Sequence, residues 1–170
     1  MEGTYAKNIN YKLKPIGVIR TPYQNNAPYQ PVDTDEAEFY AIIDHQYTEG
    51  LSDLKKFNYI YLIFYADRIT RKVEMMVSPP WTDGEKVGIF ASRSPVRPNP
   101  IGLSIVRIKK IVENKIYTSG LDVFDGTPLL DIKPYIKDLD NKDNANYGWI
   151  SEMNDMAHLS LHIKGIPHDY

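Results

Sequence analysis

Two stretches of the chain concentrate the residues able to do chemistry. The first is ASRSPVRPNPIG, from Ala91 to Gly102. Pro95, Pro98 and Pro100 fix their own φ and push the residues before them into extended geometry. A loop stiffened in this way presents Arg93, Arg97, Asn99, Ser92 and Ser94 with less entropy left to lose on binding. That donor-rich set suits an anionic group. It would serve equally as a rigid crossover whose arginines pair with acidic residues elsewhere, and the residues alone leave both readings open. The second stretch is DVFDGTPLLDIKPY, from Asp122 to Tyr135. Asp125-Gly126 is a turn signal, and Pro128 stiffens the segment after it. Asp122, Asp125 and Asp131 are spaced through a largely apolar run. A carboxylate in such a setting must pair or shift its pKa, which makes it a candidate ligand or base. The plainer alternative is a type I′ hairpin in which Asp125 serves only the turn.

Strands must position these stretches. Leu13–Arg20 reads as a strand, followed by a loop over Thr21–Thr34 that is rich in Pro, Asn and Gln. Glu38–Ile43 reads as a second strand, and Glu49–Lys56 as one or two helical turns. Tyr59–Ala66 (YIYLIFYA) is aromatic and β-branched, as a strand buried on both faces would be. Ser78–Gly84 is a turn-rich loop and Val87–Ala91 a short strand. Gly102–Val112 and Lys115–Gly120 flank Glu113-Asn114 as a hairpin, with Val106 and Ile108 on one side of the first arm and Arg107 and Lys109 on the other. Thr127–Tyr135 is extended. The tail ends in HLSLHIKGI, which reads as a last strand. These elements predict a mostly β, single-domain β-barrel with minor helix over residues 1–170. Its core would span 13–136, with 137–170 as a C-terminal tail packing on the barrel.

Composition limits the functions available. The chain has 170 residues, a net charge of −2 and no cysteine. The absence of cysteine excludes disulfides, Cys-ligated zinc, iron–sulfur clusters and thiol catalysis. The longest apolar run is Tyr59–Ala66, far short of a membrane span, and Met1–Arg20 has no signal-peptide pattern; a cytoplasmic protein is expected. The near-neutral charge is a sum of two unlike segments. Thr21–Leu54 holds seven acids and no Lys or Arg, whereas Lys86–Val112 holds six bases and no acid. Two differently solvated surfaces would explain this, as would a local cationic face for a phosphate or carboxylate. No Gly-x-Gly and no phosphate-loop pattern occurs. Gly102-Leu103-Ser104 starts like a nucleophile elbow but lacks the second glycine and lies in a strand pattern. His158 and His162 lack the adjacent glutamate of a zinc-protease helix, and His45 and His168 have no convincing ligand partners, so no metal is expected.

RSPVRPNPIG and DGTPLLDIKPY, preceded by PIGVIRTPY at 15–23, together resemble the TsaA-like or TrmO-type tRNA methyltransferases, over about Pro15–Tyr135. The resemblance implies an S-adenosylmethionine-dependent methyltransferase on a β-barrel rather than a Rossmann fold. It also implies a homodimer with cofactor near the dimer interface, and methylation of the N6 nitrogen of threonylcarbamoyl-adenosine next to a tRNA anticodon. Carried over by position, cofactor contacts fall on Gln30, Pro31 and Val32, on Asp67 and Arg68, on Arg93 and Leu103, and on Asp122, Val123, Phe124 and Asp125. Arg97, Asn99, Lys133 and Tyr135 match patterned family positions and are expected, with the basic Arg107 and Lys109, to face substrate. Long bacterial members usually have a histidine where this chain has Asp67, and continue into a C-terminal extension that it lacks.

A poor nucleophile such as a carbonyl-conjugated N–H would be helped by a carboxylate base. Asp125 is the first candidate and Asp122 the second. Arg93 or Arg97 would grip a carboxylate of cofactor or substrate, and Arg107, Lys109 and Lys110 phosphates. Two other functions fit the residues. One is a non-catalytic β-barrel RNA-binding module that stacks bases on Tyr59–Tyr65; the other is a methyltransferase for a different small molecule or nucleoside.

Overall fold

A computed structural model describes residues 11–29, 31, 37–80, 82, 84–153 and 161. Among the described residues eight strands are formed: β1 (Gly17–Arg20), β2 (Phe39–Ile43), β3 (Tyr59–Tyr65), β4 (Met76–Val77), β5 (Val87–Gly88), β6 (Ile101–Val112), β7 (Lys115–Thr118) and β8 (Thr127–Pro134). Six of them pair antiparallel in the order β1-β2-β7-β6-β3-β8, and β8 pairs back on β1, closing the ring. No parallel βαβ unit occurs among the described residues, so the architecture is mostly β and not of Rossmann type. β4 and β5 form a separate two-stranded ribbon.

Alternation along the strands builds the core. Ile19, Phe39, Ala41, Ile43, Ile60, Leu62, Phe64, Val106, Ile116 and Leu129 point inward and are buried together, while their sequence neighbours form the outer wall. β3 therefore has one buried face, not two: its outer Tyr59 and Tyr65 are 44% and 40% exposed. A barrel wall needs only one apolar side, so burial in this chain does not account for the outward-facing tyrosines of the run. Ser104 faces the interior from β6, away from any turn. Gly102 is required by packing, because a Cβ there would lie 2.0 Å from the Phe64 ring.

Several expected bounds move. β1 begins at Gly17 rather than Leu13 because Pro15 has no N–H to give a ladder. Val87–Ala91 is strand only to Gly88, then a 3₁₀ turn. The hairpin at Glu113-Asn114 is present and is clipped to β2, with Asn114 Nδ2 donating to the Ile43 carbonyl at 2.6 Å. β6 slips register against β7 between Ile108 and Lys110. This bulge turns both Lys109 and Lys110 outward and returns Ile111 to the core. The expected turns of Glu49–Lys56 appear as 3₁₀ segments at His45–Leu51 and Leu54–Lys56. They cover the barrel end opposite the one where β1 finishes and β8 starts. Of the expected last strand, residues 158–166, only Leu161 is described, and it is helical rather than extended; His158, His162 and His168 fall outside the described residues, as do Gln30 and Val32.

Candidate active site

At the end of β1 the chain leaves the barrel through Arg20-Thr21-Pro22-Tyr23-Gln24 and is laced to the loop that precedes β8. Thr21 Oγ1 donates to the Val123 carbonyl at 2.8 Å. The Asp125 N–H donates to the Tyr23 carbonyl at 2.7 Å, and the Gly126 N–H to the Ile19 carbonyl at 2.9 Å. Asp125-Gly126 are the central residues of a turn closed by the Thr127 N–H on the Phe124 carbonyl at 3.2 Å. Gly126 has φ of +82° and Asp125 does not have positive φ. A type I′ turn needs positive φ at both central residues, so the hairpin reading of this segment gives way to a type II-like turn with glycine in the position that requires it.

The carboxylate of Asp125 is fully engaged. Arg20 Nε donates to one oxygen at 2.7 Å and Arg20 Nη2 to the other at 3.0 Å. The Thr21 N–H and Gln24 Nε2 add bonds at 3.2 and 3.3 Å. Partial burial raises the pKa of this group, but the Arg20, Thr21 and Gln24 bonds outweigh it and hold the carboxyl below its ordinary value. A carboxylate stabilised in this way is a weak base.

Asp122 is the opposite case. Burial pushes its pKa up to about 6, against the counter-pull of its own backbone N–H and of the Arg93 guanidinium. It is the carboxyl poised to exchange a proton near neutral pH. Arg93, on the exposed proline-rich loop, is thereby placed beside the aspartate loop.

Arg68, in the turn after β3, completes the cluster. Its Nη1 donates to the Gln24 carbonyl at 2.7 Å, its Nη2 to the Asp125 carbonyl at 2.6 Å, and its guanidinium lies 5.3 Å from the centre of the Phe124 ring. Three loops thus meet at one end of the barrel: 20–24, 66–68 and 122–126, with Arg93 alongside. A buried carboxyl beside guanidinium groups and an aromatic ring offers the acceptor, donor and stacking set that a zwitterionic, sulfonium-bearing nucleoside requires, so the residues fit the expected cofactor.

Of the other expected site residues, only Asp67 lies on one of these three loops. Asp67 is exposed in the same turn as Arg68. Pro31 is half-buried in the loop between β1 and β2. Leu103 is on the outer wall of β6 opposite Ile63. The Arg97 guanidinium folds back on the Ser92 and Ser94 carbonyls at 3.4 and 3.5 Å, stiffening its own loop. Asn99 is exposed, and its carbonyl accepts the Ile101 N–H. Trp149, in the described part of the tail, donates to the Ala91 carbonyl at 2.8 Å, which ties the tail to that loop. Lys133 is paired with Asp131 at 2.8 Å, and Tyr135 packs against Tyr59 and Tyr61. The last two lie at the opposite end of β3 and β8 from Arg68 and Asp125, about 20 Å away by strand rise. Arg107 is exposed across from Tyr59.

Arg20, Thr21 and Gln24 carry no chemical signal of their own in the sequence. The IRTPYQ run at a strand end is the only hint, and the partner lies 105 positions away. A cleft of about 370 Å³ occurs at the other end of the barrel, lined by Ile16, Tyr47, Leu51, Leu54, Phe57 and Ile132. Its carboxylates, Asp53 and Asp131, are each paired with a lysine, so it offers neither a base nor an anion site. Among the described residues no group of His, Asp and Glu could hold a metal ion, and no helix is long and apolar enough to cross a membrane.

Known proteins are similar to this chain in sequence and in fold. Residues 18–141 match the family profile described as the tRNA-methyltransferase O N-terminal domain. A probable S-adenosyl-L-methionine-binding protein of Pyrococcus abyssi is 37% identical over 141 residues, which are 82% of this chain and 76% of that protein. The tRNA (adenine(37)-N6)-methyltransferase of Escherichia coli is 34% identical over 137 residues, 75% of this chain and 58% of that enzyme. The crystal structure of TrmO from Pseudomonas aeruginosa superposes with a TM-score of 0.67 at 29% identity, covering 82% of this chain and 62% of that one. The chain thus spans about three-fifths of the bacterial proteins it matches.

Proposed function

The chain belongs to the tRNA-methyltransferase O family, and from that premise we propose that it transfers a methyl group from S-adenosyl-L-methionine to the N6 nitrogen of an adenine in tRNA. The acceptor is the threonylcarbamoyl-adenosine next to the anticodon. The convergence of Arg68, Arg93 and the 122–126 loop at one end of the barrel carries the proposal. When bound there, S-adenosyl-L-methionine supplies an electrophilic methyl on a sulfonium.

This chain's residues divide the remaining work. Arg93 and Arg68 hold anionic or π-rich parts of the ligands, and the backbone of Asp122–Asp125 borders the cofactor. Asp122 takes the acceptor's proton, a role we assign ahead of Asp125 because a half-ionised carboxyl near pH 6 is a stronger base than one clamped by Arg20. Asp125 positions the loop and supplies a fixed negative charge. Holding the acceptor in line with the methyl contributes several kcal/mol (~7 or more in well-oriented reactions) through orientation alone.

The assembly is a homodimer in this reading. Ile101, Leu103 and Ile105 on β6 and Tyr59 and Tyr65 on β3 lie on one outer wall, each between 40% and 51% exposed. Such a contiguous apolar face marks an interaction surface. It also gives the aromatic run of β3 and the expected cofactor contact Leu103 a common purpose at a subunit interface near the site. The location is cytoplasmic, where tRNA is found.

The experiment is direct. Purified protein incubated with methyl-labelled S-adenosyl-L-methionine and tRNA carrying threonylcarbamoyl-adenosine should yield labelled nucleoside by mass spectrometry. Absence of cofactor binding by calorimetry would remove the methyltransferase reading. Cofactor binding without label in any tRNA would remove the substrate.

A further inference from the structure

The outer wall of the barrel carries a row of residues that is continuous in the sheet and scattered in the sequence. Arg20 on β1 is the direct partner of Tyr40 on β2, Tyr40 of Tyr117 on β7, and Tyr117 of Lys110 on β6. Four adjacent strands therefore contribute one residue each to a row about 14 Å long at the usual strand spacing of ~4.8 Å. The two tyrosine rings stack with centroids 5.3 Å apart. Lys110 Nζ lies 4.4 Å from the centre of the Tyr117 ring, and Lys115 Nζ, from the next row, 5.7 Å from that of Tyr40.

This arrangement has the marks of a pre-set cationic surface. Each lysine is held over an aromatic face, which restricts an otherwise floppy ammonium. Among the described residues neither lysine has a carboxylate within ion-pair distance. Lys110 reaches the row only because the bulge after Ile108 turns it outward; regular alternation would have put it inside. The row begins at Arg20, whose Nε and Nη2 hold Asp125 in the candidate active site.

We propose that Lys110 and Lys115, held on the Tyr40–Tyr117 stack, form a docking stripe for the phosphate backbone of the RNA whose adenine enters the active site. The proposal rests on the tRNA-methylating function and adds where the rest of that RNA lies: across β1, β2, β7 and the Lys110 end of β6, beyond the Ile101–Ile105 stretch of that strand that carries the apolar face. The chain's net charge of −2 gives RNA no general attraction, so a local stripe is what guides it.

The test compares wild type with the double variant Lys110→Ala/Lys115→Ala, and with Lys55→Ala as a control at the other end of the barrel. Binding of tRNA is followed by fluorescence anisotropy between 50 and 200 mM salt, and cofactor binding by calorimetry. Loss of two phosphate contacts should reduce the log–log salt slope by about 1.4 to 1.8. Over that fourfold salt range, wild type should then lose about tenfold more affinity than the double variant. KM for tRNA should rise with kcat and cofactor affinity kept, and Lys55→Ala should match wild type. A milder variant, Tyr117→Leu, should give a smaller affinity loss at unchanged slope, because the charge stays and only its placement is relaxed. An unchanged slope and KM in a double variant that still methylates tRNA would overturn the stripe and leave the function standing. A wild-type protein that binds cofactor but no tRNA would overturn both. Loss of the dimer in the double variant, with RNA binding intact, would assign the stripe to contacts between copies and overturn the proposal.

Discussion

Replacing Asp122 by asparagine keeps the shape of the side chain and removes its charge. In the folded chain burial raises the Asp122 pKa from its ordinary 3.8 to about 6. At about 1.4 kcal/mol per pKa unit, the protonated form is favoured on folding by about 3 kcal/mol. The sign of the effect on stability is fixed by that direction. Below pH 3.8 both folded and unfolded chains carry a neutral Asp122 and nothing is lost. Between 3.8 and 6 the unfolded chain releases the proton while the folded chain retains it, and stability falls. Above 6 the folded chain carries a costly carboxylate. Asp122→Asn should therefore match wild type in urea titrations near pH 3.5 and exceed it by up to about 3 kcal/mol at pH 7.5. The same substitution should lower single-turnover methyl transfer by about 10²- to 10⁴-fold. In wild type the rate should climb about tenfold between pH 5 and its plateau near pH 7.5, following ionisation of one group near 6, and that limb should vanish in the variant. A stabilised, inactive variant is the signature of a residue kept for chemistry at the expense of the fold. A wild-type rate flat from pH 5 to 8, or a variant that is destabilised at pH 7.5, would refute the reasoning.

Three further outcomes are expected from the same geometry. Arg93→Gln removes the cation that draws Asp122 down, so the acidic limb of the pH–rate profile should move to higher pH while cofactor affinity measured by calorimetry falls. Asp125→Asn breaks the bidentate bond to Arg20; it should weaken cofactor binding and leave the limb near pH 6 in place. Because the Asp125 pKa is lowered on folding, its stabilisation is present above pH 3.8 and is lost as pH falls through the folded value, so the variant should flatten the acid-denaturation curve in that range. Gly102→Val forces the Phe64 ring out of its place over the backbone and should lower Tm, by roughly 1–3 kcal/mol equivalent of overpacking, without altering the pH profile.

Much of this architecture is legible in the sequence. Alternation gives β2, β6, β7 and β8 to within a residue or two, because a barrel wall needs one apolar side and the turn residues between strands are specific. The two motif loops are visible because proline and Asp-Gly act locally. Facts that live in register are not visible. Arg20 meets Asp125 only because β1 and β8 pair, and that pairing demotes Asp125 and promotes Asp122, two carboxyls that look alike in sequence. The outward turn of Lys110 depends on a one-residue bulge that alternation cannot foresee. The placement of Lys133 and Tyr135 a strand's length from the active-site cluster comes from the direction of β8, which composition does not encode.

The barrel has one end where loops converge and another closed by the 3₁₀ segments of His45–Leu51 and Leu54–Lys56. Gly50 in the first of these is exposed and has open space where a side chain would go. In a chain without cysteine, Gly50→Cys would create a single thiol remote from the chemistry. A fluorophore attached there would report the tumbling of the whole particle, so that titration with unlabelled protein would test the proposed dimer and titration with RNA the proposed complex in one labelled molecule.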